Sequence, residues 1–311
     1  MSRPSPADVT VVIPAHNRPA LVEDCIASLL AQEGGAPGRI LVVDDASTDD
    51  TADRAEAAGA DVLRLTTNVR AAGARNRGLA EVTTSWVAFL DSDDLWLPTA
   101  LSTLLAAADG HACASGAAAV FDGPAITGYR GPVPAEPTTV RDPAAMLDFE
   151  AELLVSGAVM TTESARAIEF DQSLRYSEDL DFWVRYLERN AVRSIPEPVL
   201  LYRAHEGGKS GDHAAIEGRR RIGASFAGRP WGGRALSDRY YGGVLWNAAG
   251  RAARARDVRR AARAALTIAA RPARIEGARK RRERNASFRE AYAGLPSTVA
   301  ELTASRAPAH R

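Results

Sequence analysis

Three carboxylates, Asp91, Asp93 and Asp94, stand directly behind the apolar run Trp86-Val87-Ala88-Phe89-Leu90. At the end of a strand such side chains crowd together, and close carboxylates repel unless a cation or a raised pKa relieves them. Hard oxygen ligands of this kind suit Mg2+ or Mn2+ shared with phosphate oxygens. The competing reading is an N-cap cluster for a helix after Asp94. Asp44 and Asp45 follow a second apolar run, Ile40-Leu41-Val42-Val43, and pose the same choice. Either they cap the next helix, or a carboxylate accepts from a base N–H or a ribose hydroxyl. His16-Asn17-Arg18 closes a first run, Val9–Ile13, with polar groups and one cation.

These groups need a frame that brings strand ends together. Val9–Ile13, Ile40–Val43, Val62–Leu65 and Trp86–Leu90 read as buried strands. Between them, 19–32, 52–58 and 71–81 carry helical spacing, the first stopped by Gly34 and Gly35. Such alternation predicts an α/β fold: a mostly parallel sheet with helices on both faces, binding ligands beyond the carboxyl ends of its strands. Beyond Asp94 the regularity breaks. A helix is expected from Leu97-Pro98 to about Ala108, a long irregular loop over the Gly- and Pro-rich 121–143, a helix over 178–188 and a strand at 199–203. Residues 204–213 read as a loop.

The 311 residues are 46% hydrophobic and 25% charged, proportions that exclude collagen, coiled coil and wholesale disorder. Cys25 and Cys113 form no CxxC pair and no disulfide framework. The opening Met-Ser-Arg-Pro-Ser-Pro lacks the apolar core of a signal peptide, and no run is long enough to span a membrane, so a cytoplasmic location is expected. The net charge of zero is unevenly spread. Residues 1–214 hold 17 Lys and Arg against 32 Asp and Glu; residues 215–311 hold 22 against 7. A boundary is therefore placed at 213/214, with an Ala- and Arg-rich helical region behind it. That region reads in three ways: a solvated cap, a surface docking on anionic lipid at the inner face of a membrane, or a homo-oligomer contact. Aromatic residues do not interleave with its arginines, which argues against nucleic acid.

The motifs resemble the family 2 glycosyltransferases. Pro14-Ala15-His16-Asn17-Arg18 matches the family's Pro-x-Tyr-Asn-Arg, with His16 in place of Tyr. Val43-Asp44-Asp45-Ala46-Ser47-Thr48-Asp49 matches Val-Asp-Asp-x-Ser-x-Asp, and Ala72–Gly78 matches Ala-x-x-Arg-Asn-x-Gly. Leu90–Asp94 matches Leu-Asp-x-Asp-Asp, Phe170–Asp179 the Phe-Asp-Glu-x-Leu…Glu-Asp stretch, and Tyr202–Ser210 the Tyr-Arg-x-His loop. The resemblance covers about residues 9–210 and implies the GT-A fold and metal-dependent, inverting transfer from a nucleotide-diphosphate sugar, with UDP the commonest donor nucleotide. Pro14, Ala15, Asn17, Arg18, Asp45 and Arg70 or Arg75 would line the nucleoside pocket, with Asp91 and Ser92 also at the nucleotide. Asp91, Asp93 and Asp94 would hold the diphosphate through Mn2+ or Mg2+, and His205 would reach the metal from a closing loop. Asp179 would be the general base and Glu178 would orient a glycan or lipid-linked acceptor. Glu178-Asp179 also reads as an acidic first helical turn. A silent GT-A scaffold and a sugar nucleotidyltransferase compete, although the latter wants a glycine-rich loop after the first strand, which Pro14–Arg18 lacks.

Overall fold

In the computed structural model, residues 4–132, 136–204 and 213–304 are described. The predicted first half holds. Strands β1 (Val9–Ala15), β2 (Arg39–Asp44), β3 (Asp61–Arg64) and β4 (Trp86–Phe89) alternate with helices α1 (Pro19–Leu30), α2 (Thr51–Ala57) and α3 (Arg70–Ala80). Order β3-β2-β1-β4 is parallel throughout. Alternate side chains of β1 feed two cores: Val9, Val11 and Ile13 meet α1 residues Cys25, Ile26 and Leu29 on one face, while Val12 meets α3 and its neighbours on the other. Strands buried on both faces must be apolar at nearly every position, which is why these four were readable as runs.

Past β4 the sheet is mixed rather than mostly parallel. The later strands are β5 (Leu95–Trp96), β6 (Cys113–Asp122), β7 (Ala125–Arg130), β8 (Thr138–Val140), β9 (Ala158–Thr161) and β10 (Val192–Arg203). β9 runs antiparallel between β4 and β6, β6 pairs in parallel with β10, and the short β5 closes the edge antiparallel to β10. The irregular loop expected over 121–143 is overturned: β7 forms a hairpin with β6, and β8 pairs with β10. The turn is Gly123-Pro124, closed by the Asp122–Ala125 pair, with Gly123 at φ 55°, the left-handed conformation that favours glycine in a tight hairpin. The expected helix from Leu97 starts later, as α4 (Ala100–Ala107), because residues 95–96 are drawn into the sheet by β10.

Helices α5 (Ala144–Leu147), α6 (Thr162–Arg166) and α7 (Glu178–Leu187) complete the part before residue 205. Then come α8 (His213–Ser225), α9 (Arg234–Arg254), α10 (Val258–Ala269), α11 (Pro272–Ala291) and α12 (Val299–Ala304), with no strand among the described residues of this region. The compositional boundary does not divide the core: one apolar cluster joins Val12, Phe89 and Phe182 to Leu236, Tyr240, Val244 and Ala278. Helices α9 and α11 cross closely because Gly242 and Gly277 leave no room for a Cβ, which would strike the backbone at Arg274 and Arg239 respectively.

Candidate active site

The loops after β1 and β2 are stapled to each other. Asn17 N–H donates to Ser47 Oγ at 3.0 Å, Thr48 N–H to Asn17 Oδ1 at 2.9 Å, and Arg18 N–H to Thr51 Oγ1 at 2.8 Å. His16 Nδ1 donates to the Asp45 carbonyl at 2.9 Å. Asn17 and Ala46 take positive φ (53° and 58°), so these cross-links hold both loops in a conformation non-glycine residues rarely adopt. The Asn17 side chain thus ties the loops together, while the Arg18 side chain is exposed at the start of α1. Pro14 is half-buried and Ala15 is buried.

Asp45 does cap a helix, but not the next one. Its carboxylate accepts from Val69 N–H at 2.6 Å and Arg70 N–H at 2.8 Å, anchoring the start of α3. Arg70, at φ 64°, leaves its side chain exposed. Next to Asp45 in sequence, Asp44, for which capping and nucleoside recognition were both open, is buried and its Oδ1 has no hydrogen-bond partner. Further along α3, Gly78 lies so close to β1 and β2 that a Cβ would collide with Val12 and Val43. That contact presses α3 onto the sheet and fixes the height of Arg75, one turn earlier.

Arg75 joins two stretches of chain about a hundred residues apart. Its guanidinium is ion-paired with Asp91 and donates to Glu178 Oε1 at 3.3 Å, with its side chain only 4% exposed. The ring of Phe170 covers it, 5.2 Å from the guanidinium carbon. Sequence resemblance assigned Arg75 to the nucleoside pocket; the structure sets it beneath the carboxylates as their buried counter-ion. Burial disfavours its charge, yet Asp91 and Glu178 outweigh that and raise its pKa. For Glu178, burial prevails over Arg75, and with the Asp179 charge it raises the carboxyl pKa. Ser177, just before, sits at φ 61° and turns the chain so that α7 starts with Glu178 and Asp179 at this point. Asp179 is exposed, its Oδ1 accepting from Leu180 N–H at 2.8 Å.

The turn after β4 divides its carboxylates. Asp91, partly exposed, pairs with the buried Arg75, and its N–H donates to Ser156 Oγ at 3.2 Å. Ser92 is buried and Asp93 half-exposed. Asp94 points inward: Oδ1 accepts from Arg203 N–H at 3.0 Å, and Oδ2 is buried without a partner. Burial, then the charges of Asp91 and Asp93, push its pKa well above the usual carboxylate range. Arg203 donates from Nε to the Asp93 carbonyl at 2.9 Å and stacks on Phe121 at 4.6 Å. The end of β10 is therefore fastened to the carboxylate turn. His205, two residues on, lies outside the described residues. Ser156 and Arg203 were not identified as site residues from sequence: Ser156 carries no motif, and Arg203 was only part of the Tyr-Arg-x-His match.

No group of three or more His, Cys, Asp or Glu side chains among the described residues is arranged to hold a metal. Mg2+ commonly takes one or two carboxylates and completes its shell with water and substrate phosphates. Asp91 and Asp93, at the mouth of the turn with hard oxygen donors, fit that pattern; the inward Asp94 fits it less well.

Residues 10–139 match the profile of glycosyl transferase family 2. The succinoglycan biosynthesis protein ExoU of Rhizobium meliloti is 36% identical over 110 residues, 34% of this chain and 32% of its own length. The pre-mycofactocin glycosyltransferase of Mycobacterium tuberculosis is 34% identical over 224 residues, 66% of this chain and 44% of that one. The chain thus spans less than half the length of these relatives. Among solved structures, S. aureus TarS 1–349 in complex with UDP-GlcNAc superposes with a TM-score of 0.59 at 20% identity, covering 91% of each chain. Glucosyl-3-phosphoglycerate synthase from M. tuberculosis, crystallised with Mn2+, UDP and glucosyl-3-phosphoglycerate, gives 0.51 at 22% identity, covering 70% of this chain and 78% of that one. The fold is GT-A, and within it residues 10–139 carry the sequence pattern of glycosyl transferase family 2.

Proposed function

We propose that the protein transfers a sugar from a nucleotide-diphosphate sugar, a UDP-sugar first among candidates, to an acceptor hydroxyl in polysaccharide or cell-envelope glycan synthesis, with inversion at the anomeric carbon. The observation that carries this reading is the Arg75 bridge, which sets the strand-end carboxylate Asp91 beside Glu178-Asp179. A donor held at one and an acceptor activated at the other then share a single site. Asn17, Arg18 and Arg70 border the nucleoside end, Asp45 holding the last of these in place through its backbone. Asp91 and Asp93 would hold a divalent cation, which when bound neutralises charge on the diphosphate leaving group. Exposed Asp179 takes the acceptor hydroxyl proton as that oxygen attacks the anomeric carbon from the face opposite the leaving group. A single attack of this kind inverts the configuration. Glu178, anchored on Arg75, keeps its neighbour at the right depth.

A lipid-linked acceptor is supported by α10. Val258, Ala262 and Leu266 form an exposed apolar stripe on it, Val258 and Leu266 being 75% and 73% exposed, with exposed Arg259 and Arg263 alongside. This pattern suits an anionic bilayer surface. No helix among the described residues is long and apolar enough to cross a membrane. Flotation with anionic vesicles but not neutral ones is expected; equal flotation on both contradicts electrostatic docking. The activity itself is tested by a donor hydrolysis screen over UDP-, GDP- and dTDP-sugars with Mn2+. Release of UDP is expected; no turnover of any donor counts against an enzyme.

A further inference from the structure

Between β7 and the C-terminal half of α11 lies a cavity of about 590 Å³ with a strong charge bias. Arg130, Arg281, Arg284 and Arg289 line it against one carboxylate, Glu152. Glu152 is fully engaged: it pairs with Arg130 at 2.7 Å and with Arg284 at 3.2 Å. Arg284 is also fixed, donating to the carbonyls of Phe149 and Gly131, each at 2.9 Å. Arg281 is different. Among the described residues it makes no ion pair; it lies 5.0 Å over the Phe149 ring, and with the Asn247 amide oxygen turned towards it donates at 2.9 and 3.1 Å to that neutral group. Arg289 stands exposed at the rim. Clustered guanidiniums repel, and holding them with one carboxylate leaves a site that an added anion would complete. On the other side, Arg130 stacks 5.1 Å over Tyr202, and the charge of Asp179 reaches both residues. The inner end of the cavity, at Arg130, is therefore within electrostatic reach of the proposed base.

We infer that this cavity, between β7 and α11, receives a phosphate carried by the acceptor, bound by Arg281 and Arg289 with Arg130 at the inner end. The inference rests on the glycosyltransferase reading and adds a substrate class to it: a phosphate-bearing acceptor, whether a soluble sugar phosphate or a lipid phosphate. Without such a counter-charge, an anionic acceptor would be repelled by Asp91, Asp93 and Asp179.

The test uses the full chain saturated with UDP and Mg2+, so that the donor site is closed to phosphate, and titrates glucose 1-phosphate in one arm and phosphatidic-acid vesicles in the other. Binding in at least one arm is expected, weakened about tenfold or more by Arg281→Gln, as for loss of one charge-assisted contact. Arg289→Gln, at the exposed rim, should weaken the same arm without risk to folding. Which arm responds identifies the source of the phosphate. No binding in either arm, or binding that neither variant changes, overturns the inference. Failure of UDP itself to bind is a separate result and strikes the donor reading instead.

Discussion

The carboxylate turn and the β7–α11 cavity are electrostatic opposites built on one plan. At the first, one buried guanidinium, Arg75, serves two carboxylates, Asp91 and Glu178. At the second, one carboxylate, Glu152, serves two guanidiniums, Arg130 and Arg284. In each, a single internal counter-charge orders a cluster without neutralising it, and the excess faces outward. An excess of carboxylate suits a cation and the phosphates it carries; an excess of guanidinium suits an anion. The opposite charges of the two halves of the chain also meet inside the fold, where Asp148 pairs with Arg239 at 2.8 Å and with Lys280. Part of the basic C-terminal excess is thus consumed by docking helices α9 and α11 onto the acidic segment 148–152.

The comparison can be broken from either side. The largest effect is expected at the acidic end: Asp179→Asn should cut transfer by about 10²–10⁴-fold, the usual worth of a positioned base, and leave UDP binding unchanged in a calorimetric titration. Full turnover would remove Asp179 from its role. Replacing the shared cation, Arg75→Gln, leaves two carboxylates facing each other and should cost about 3–5 kcal/mol in denaturant unfolding. The mirror change, Glu152→Gln, should cost about 3 kcal/mol by the same logic.

Glu152 also sets an acid limit. Burial alone would raise its pKa, but Arg130, Arg284 and Arg281 outweigh burial and hold it at about 2. A depressed folded pKa gives stability that is complete above the unfolded glutamate value of about 4.3 and is lost as pH falls through about 2. The wild type should therefore lose more stability than Glu152→Gln across that window; parallel pH profiles would contradict the pairing. The smallest effect sharpens the contrast between buried and solvated charge: Arg259→Gln, on the exposed face of α10, should shift stability by no more than about 0.5 kcal/mol.

The parallel half of the fold was legible because strands buried on both faces must be apolar runs, and Val9–Ile13 or Ile40–Val43 can be little else. The mixed half was not. β6 reads Cys-Ala-Ser-Gly-Ala-Ala-Ala-Val-Phe-Asp, small residues without alternation, and only its neighbours make it a strand. Small size is required there: a Cβ on Gly116 would strike Val199 of β10. The β6–β7 hairpin did leave a signal, the turn dipeptide Gly123-Pro124, which lay hidden in a stretch that composition alone marks as loop. At the site, the motifs located the loops and named the carboxylates, but not their partners. That Asp45 caps α3 rather than α2, and that Arg75 lies under Asp91 and Glu178, follow from α3 being pressed onto β1 at Gly78, a tertiary contact with no local signature.

The most direct test of the central claim is a calorimetric titration of UDP into the full chain with Mn2+ and again with the metal chelated. Saturable binding that weakens strongly on chelation is the predicted result. Absence of UDP binding in the presence of Mn2+ would contradict an acidic strand-end turn that grips a nucleotide diphosphate through a cation.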